Sequence, residues 1–374
     1  SLPAPLRALT RSAFRRVPFP YRRGVSFARH YNGFLKTERL DAEALGALQL
    51  AALREVAAHA YATVPAYRER FDAIGMKPHD VRALGDWAAL PLTRKAELQD
   101  DLEAFVSDRV APAARLVRTT SGSTGTPLRI VTTAATQVAE AAIMYRGWRW
   151  SGYRDGDRIA TCVGELTGEI TGPAHAPVMR GRDSLELCPD HLDERGARSY
   201  AEMLAEFDPH YVRMYPSIIQ ILGKHLAERG LRMKSLRGLW TQSEIVYPDE
   251  RQLLEELWGA RIFDYYGMQE KCVAMSECER GRMHMHSEFG LVELVPTKKP
   301  PYHHIVATGF YNRAMPLLRY ATRDLAVPHA EPCPCGRAHP TVARIAGRVE
   351  DFLLAADGRQ VMEAEATIGD QPAI

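Results

Sequence analysis

The chain has 374 residues, 46% of them hydrophobic and 25% charged, with a formal net charge of +2 at pH 7. That length exceeds what one hydrophobic core usually fills, so a large domain with subdomains or a smaller companion is expected. No apolar run approaches the roughly 18 residues that cross a bilayer, and the near-neutral balance sets up no general field for nucleic acid, so neither class of partner is expected. The first forty residues are locally basic (Arg7, Arg11, Arg15, Arg16, Arg22, Arg23, Arg29); a solvated face or a neighbouring subunit accounts for them, and they are given no function. They lack the continuous apolar stretch of a secretory signal, which leaves the cytoplasm as the expected location. Six cysteines are too few for a disulfide scaffold in a chain this long.

From Asp41 to Ile74 apolar residues recur at helical spacing (Leu48, Leu50, Leu53, Val56, Ala57, Ala60), which predicts a helical preface ending near Gly75. Thr93, in "PLTRKAEL", is the expected cap of the next helix. Short β-branched runs then alternate with amphipathic segments: "LRIVTT", a helix over 134–150, "RIATCV", a helix over 200–207, "HYVRMY", a helix from Ser217, "LRGLW", a helix over 249–258, and "RIFDYYG". That alternation predicts an α/β layered body. After Gly290 extended runs take over ("GLVELV", "HHIVATG", "LLRYATRDLAV"), predicting a small β-rich subdomain. The expected organisation is a preface over 1–75, a body over 76–346, and a further element starting at 347.

The stretch "RTTSGSTGTPLRI", Arg118 to Ile130, interleaves hydroxyls with glycines: Ser121, Gly122, Ser123, Thr124 and Gly125. Backbone N–H groups and hydroxyl donors can converge there on one anion without Cβ atoms in the way, so the loop reads as a phosphate cradle. It is not a Walker loop, since that spacing and its lysine are missing. Farther on, "SECERGRMH" places Cys278 six residues before His284, and "CPCG" adds Cys333 and Cys335. Three thiolates and one imidazole make a closed tetrahedral set for a structural Zn²⁺. Its expected effects are to join the "YYGMQE" helix region to the β-rich part and to add to folding stability. Gly336 is expected to turn N–H groups toward the sulfurs; Cys272, His286, His303 and His339 are the competing ligands.

"TTSGSTGTP" resembles the phosphate-binding signature of the adenylate-forming enzyme superfamily. "DYYGMQE" (264–270) resembles its Tyr-Gly-x-x-Glu motif, "RYATRDLA" (319–326) its Arg-Tyr-x-Thr-x-Asp motif, and "GRVEDFL" (347–353) its Gly-Arg-x-x-Asp motif, all in the superfamily's order. The preface, "MYPSII" and "CPCGR" are similar to the phenylacetate–CoA ligase and CapK-like branch. The resemblance implies the large adenylation (ANL-type) body, ATP and Mg²⁺ as cofactors, and a carboxylic acid activated as its acyl-AMP. Coenzyme A is then the implied acceptor, with a carrier-protein thiol or an amine as the alternative; a homodimer through the preface is a further implication. By the same resemblance Ser121, Ser123 and Thr124 touch the β- and γ-phosphates, with Thr124 and Glu270 in catalytic roles and Glu270 holding Mg²⁺. Asp324 takes the ribose hydroxyls, and Tyr266 and the "SEI" turn (Ser243, Glu244, Ile245) flank adenine. Asp264, Tyr265 and Gly267 belong to the same nucleotide-binding segment, and Arg348 lies near the ribose or hinge.

Three departures from the family pattern stand out. Only some twenty residues follow "GRVEDFL", too few for the mobile C-terminal lid that carries the family's adenylation lysine, so the expectation is that 347–374 is the hinge and the start of a truncated lid. Leu128-Arg129 replaces the Pro-Lys of many relatives, and "CVGELTGEITGPAH" lacks the pattern of phenylacetate activation, which leaves the acid unnamed. Glu165 and Glu169 in that stretch read as solvated loop carboxylates. Two readings of other classes are a non-catalytic nucleotide-binding scaffold and a zinc-stabilised interaction module whose glycine-rich loop is only a turn.

Overall fold

The computed structural model describes residues 17, 19–119, 127–349, 352–354 and 360–362. The N-terminal helices are α1 (Val25–Thr37), α2 (Ala42–Thr63) and α3 (Pro65–Ala73). The helical preface expected from Asp41 to Ile74 is present as the two helices α2 and α3, because Pro65 has no N–H to continue the ladder and instead opens α3 at its first position. Asp41 caps α2, its Oδ1 accepting from Ala44 N at 2.8 Å. Thr93 does not cap the short helix α4 (Lys95–Asp100), whose N-cap is Arg94. Thr93 is fully buried and bridges to Tyr320, its Oγ1 donating to Leu318 O at 2.7 Å, so the tertiary contact outcompetes the local one.

A hairpin of β1 (Leu116–Thr119) and β2 (Arg129–Thr132) carries the glycine-rich loop between its strands; residues 120–126 lie outside the described residues. Next come α5 (Ala134–Trp150), β3 (Ile159–Cys162), β4 (Val178–Arg180), β5 (Ser184–Leu187), α6 (Glu194–Phe207), β6 (Tyr211–Met214), α7 (Pro216–Glu228), β7 (Gly238–Gln242), α8 (Pro248–Trp258) and β8 (Arg261–Gly267). Helix α6 starts six residues before its expected position because Asp193 caps it, accepting from Gly196 N at 2.8 Å. The remaining strands are β9 (Ala274–Glu277), β10 (Met283–Met285), β11 (Gly290–Pro296), β12 (His303–Gly309), β13 (Tyr320–Pro328), β14 (Thr341–Arg348), β15 (Phe352–Leu354) and β16 (Gln360–Met362).

One twelve-stranded sheet runs β11-β12-β13-β14-β10-β9-β8-β7-β6-β3-β5-β4. Strands β5, β3, β6, β7 and β8 are parallel, with helical crossovers, and from β8 to β9 the pairing becomes antiparallel. The β-rich run expected after Gly290 is present as β11–β14. It is hydrogen-bonded into the same sheet through β10, and the antiparallel part begins earlier, at β9. The "YYGMQE" segment is the end of β8 and a turn, not a helix.

Three cores hold these layers. Preface residues such as Leu53, Val56 and Tyr67 pack with Ile130, Met275, Ile305 and Tyr320. Val212, Leu239 and Ile262 face α6, α7 and α8. On the other face Trp240 stacks between Trp148 and Tyr211, with ring centroids 4.2 and 4.5 Å away. Part of the basic N-terminus belongs to this third core: Arg22 pairs with Asp155, and Arg23 lies 4.2 Å from the Tyr145 ring centroid.

Helix α5 presses so closely on β9 that a Cβ on Gly147 would stand 2.2 Å from Ser276 Oγ. The neighbour of Gly147 in the chain, the fully buried Arg146, donates to Glu288 Oε1 at 2.7 Å and Oε2 at 3.2 Å, and to Phe34 O of α1 at 3.1 Å. Thr37 Oγ1 reaches the same carboxylate at 2.6 Å. Burial opposes the Glu288 charge, but Arg146, His339 and the Thr37 contact outweigh it and hold the carboxyl below its usual range. Removing one partner strands the other charge, so Arg146→Met is expected to cost about 3–5 kcal/mol by denaturant unfolding, and Arg146→Met/Glu288→Met less than the single change. Equal losses in both would contradict that account.

Candidate functional site

A cleft of about 1910 Å³ opens at the ends of β7 and β8 and is closed on its far side by β13 and β14. Carboxyl ends of parallel strands are where an open α/β sheet leaves a crevice. Three of the four sequence motifs meet there. Tyr266, at the end of β8, donates through Oη to Asp324 Oδ2 at 2.6 Å. Arg348 is the cross-strand partner of Asp324 in the β13–β14 register, and its Nε lies 3.5 Å from Oδ1. Tyr320 Oη, also on β13, donates to Glu270 Oε1 at 3.2 Å. Residues up to 82 apart, Tyr266 and Arg348, thus share one carboxylate-rich patch with two phenols and one guanidinium. The fourth motif, Ser121 to Gly125 with Thr124, falls outside the described residues.

Burial raises the Glu270 carboxyl above its ordinary range; Asp324 pushes the same way, while Tyr320 and Arg348 oppose it. Glu270 is only 8% exposed yet lines the cleft. Two carboxylates in mutual repulsion, one in a desolvated wall, fit a divalent cation, which would restore the charged form that burial disfavours. Asp264 is held by Thr241, whose Oγ1 donates to its Oδ1 at 2.7 Å. The Tyr265 ring covers Gly267, where a Cβ would meet Cε1 at 2.7 Å. Of the "SEI" turn, Ser243 adopts φ 68° and lines the cleft. Glu244 is engaged at the start of α7, accepting from Ser217 N and Oγ at 2.9 Å each, where the helix dipole favours its charge.

The cleft also contains side chains that the sequence reading did not single out. Lys271 pairs with Glu140 of α5 at 2.7 Å. Arg213 of β6 donates from Nε and Nη2 to Gln242 Oε1 at 2.9 and 2.6 Å. A lone cation inside the strand run "HYVRMY" was a readable signal, since a charge in a buried strand requires a reason.

The four cysteine and histidine positions come together apart from the cleft. Ligand atoms of Cys278, His284, Cys333 and Cys335 all lie within 4.8 Å of one another. Cys278 Sγ is 3.7 Å from Cys333 Sγ, and Cys335 Sγ is 3.4 Å from His284 Nε2. Zn–S bonds of about 2.3 Å in a tetrahedron put sulfurs about 3.8 Å apart, so the donor set fits Zn²⁺. His284 Nδ1 donates to the His339 carbonyl at 3.1 Å, which fixes the ring's orientation and leaves Nε2 for a metal. Gly336 has φ 77°, but the N–H groups that reach sulfur belong to Arg337 (3.5 Å) and Arg280 (3.3 Å). Of the competing ligands, His286 is engaged by Arg146 and Ser276, and Cys272 lies against Met268.

Asp264 makes a pH-dependent contribution. Burial, with Glu277 adding to it and Thr241 opposing, raises its carboxyl to about 6 from an ordinary 3.8. A carboxyl raised on folding is at no disadvantage below its unfolded value and loses stability as pH rises through the folded one. Asp264→Asn is therefore expected to gain about 1–2 kcal/mol in unfolding free energy at pH 7, and the gain should shrink on going to pH 5. A gain independent of pH would count against this.

No family model matches the chain. Among curated proteins it is 28% identical over 337 residues to phenylacetate-coenzyme A ligase of Thermus thermophilus, covering 85% of this chain and 73% of the relative. The phenylacetate-coenzyme A ligase of Escherichia coli K12 is likewise 28% identical over 342 residues, covering 85% and 74%. Protein CapK of Staphylococcus aureus matches at 23% over 173 residues, 46% of this chain and 38% of the relative. Among solved structures, 2-hydroxyisobutyryl-CoA ligase in its postadenylation state has the same fold, with a TM-score of 0.71 at 19% identity over 87% of this chain and 72% of that one. Its open conformation, in complex with 2-HIB-AMP and CoA, gives a TM-score of 0.67 at 20% identity, covering 87% and 80%. With the ordered motifs and their convergence in one cleft, these likenesses make the chain a homologue of the phenylacetate–CoA ligase and CapK-like branch of the adenylate-forming superfamily.

Proposed function

We propose that this chain binds ATP with Mg²⁺ and activates a carboxylic acid as its acyl-AMP, the acyl group then passing to coenzyme A. The observation that carries the reading is the convergence of Tyr266, Glu270, Asp324 and Arg348, from three separated motifs, on one cleft. The names of the relatives support coenzyme A as the acceptor.

In this reading Asp324 accepts the two ribose hydroxyls, a task suited to a carboxylate's paired oxygens. Tyr266 and Arg348 hold it in place from either side. Ser121, Ser123 and Thr124 take the β- and γ-phosphates through the cradle that their hydroxyls and glycines allow. Glu270 ligates Mg²⁺, which offsets the phosphate charge that would otherwise repel the incoming carboxylate. The contribution of the chain is then position and charge: the acid is held in line with the α-phosphate and pyrophosphate leaves. The four-residue cluster of Cys278, His284, Cys333 and Cys335 is read as a structural Zn²⁺ site that clamps the β9–β10 hairpin to the segment before β14.

The test is thermal melting and calorimetry with ATP–Mg²⁺ and a panel of acids. Stabilisation by ATP is expected; its absence would leave a scaffold with the fold alone. Asp324→Ala should weaken ATP binding by about tenfold or more, a loss on the scale of one charge-assisted hydrogen bond. Glu270→Gln should lower Mg²⁺-dependent ATP–pyrophosphate exchange with the fold retained, and unchanged values in both variants would overturn these roles. Cys333→Ser should lower zinc content and melting temperature together; a stable variant with full zinc would remove the metal site.

A further inference from the structure

The far end of the cleft holds a cation without a carboxylate. Arg213 projects from β6 on the same face as Tyr211, at the edge of the Tyr211–Trp240–Trp148 stack, with its Cζ 5.7 Å from the Trp148 ring centroid. Both of its hydrogen bonds end on one neutral oxygen, Gln242 Oε1. Among the described residues no carboxylate lies within 4.0 Å of it; the Glu140 carboxylate, whose charge reaches Arg213, is itself paired with Lys271 at 2.7 Å. A guanidinium this desolvated normally has an anionic partner, because burying the charge costs far more than an amide oxygen returns; burial accordingly pulls Arg213 below the usual arginine range.

Beside it stands a second unmet group. Tyr265 Oη is buried with no hydrogen-bond partner, and its ring lines the same cleft. The phenol is held there by Gly267, whose missing side chain gives it room. Gln242 is oriented by Arg213, since its oxygen accepts both of the guanidinium's hydrogen bonds, and it lines the same cleft. Arg213, Gln242 and Tyr265 thus share one wall of the cleft, and the Tyr265 hydroxyl is buried there without an acceptor. The nucleotide end, at Tyr266, Glu270 and Asp324, is a different part of the cleft and is acidic, so this donor cluster is not needed to balance it.

Building on the adenylation reading above, we infer that Arg213, Gln242 and Tyr265 form a specificity subsite for a second, distal carboxylate on the acid, so that the substrate class is a dicarboxylic acid activated at one end. Arg213 takes the distal carboxylate bidentately, the geometry in which guanidinium and carboxylate match best. The Tyr265 hydroxyl gains the acceptor it lacks. An acid without the distal group would leave the Tyr265 hydroxyl unpaired and the guanidinium without an anion, and discrimination of that kind is large because the penalty falls on the site.

The experiment uses matched acids that differ only in the distal group, glutarate against butyrate and terephthalate against benzoate. Each is titrated calorimetrically into the full chain, alone and with ATP–Mg²⁺. At least one dicarboxylate should bind tenfold or more tightly than its partner acid. Arg213→Met should erase that preference while leaving the ATP isotherm unchanged. Gln242→Glu, which supplies the guanidinium with a built-in carboxylate and keeps the fold, should erase it too, and Arg213→Lys should retain part of it. Equal binding of both members of each pair by the wild type overturns the inference, as does an equal loss for mono- and dicarboxylates in Arg213→Met, which would make Arg213 the receptor of the reacting carboxylate. If ATP fails to bind while the dicarboxylate preference persists, the adenylation reading falls and the subsite stands.

Discussion

The buried contact of Arg146 with Glu288 joins three parts of the molecule that are distant in sequence. Helix α1 supplies Phe34 O and Thr37, α5 supplies the guanidinium, and the loop between β10 and β11 supplies the carboxylate. The guanidinium also contacts His286, two residues after the zinc-site candidate His284. An ion pair of this kind adds little net stability over an apolar substitute, but it permits only one mutual placement of its elements. That placement seats α5 against β9 at the approach that Gly147 requires, and so sets where Glu140, Ala141 and Met144 stand along the cleft wall.

The second constraint is the change of pairing at β8. Its partner on one side, β7, is parallel, and on the other side, β9, is antiparallel. Because β8 belongs to both halves, its last residues, Asp264 to Gly267, emerge at the parallel strands' carboxyl ends and simultaneously face β13 and β14. Tyr266 can then reach Asp324, and Glu270 can meet Tyr320. The candidate zinc cluster lies on the same antiparallel side. Cys278 follows β9, His284 sits in β10 and the Cys333–Cys335 knuckle precedes β14. A metal there would fix the register of the strands that carry Asp324 and Arg348.

The electrostatics of the cleft differ from one end to the other. Around the tyrosines the wall is acidic and its carboxylates are desolvated, which suits cations and the ribose diol. Around Arg213 it carries unmatched donors over aromatic rings, which suits an anion. Such polarity would suit the proposed meeting of a nucleotide–metal complex and an organic acid in one cleft.

Much of this was legible from the residues alone. The alternation of β-branched runs with amphipathic helices placed β2, β3, β6, β7 and β8 and the helices between them, because periodicities of 2 and 3.6 survive in a local reading. Motif order pointed to Tyr266, Glu270, Asp324 and Arg348, and cysteine spacing pointed to the four-ligand cluster, since each is carried by short fixed strings. Local signals misled where a tertiary contact was stronger. Thr93 offered a helix cap and instead became a buried bridge to Tyr320. The joining of the antiparallel strands to the parallel ones in a single sheet has no local signature, because strand neighbours are chosen by burial of whole faces. The polarity of the cleft likewise depends on which side chains meet: a lone Arg213 in a strand is visible in the sequence, but its lack of a carboxylate partner, and the unmet Tyr265 hydroxyl beside it, exist only once β6, β7, β8 and α5 have packed.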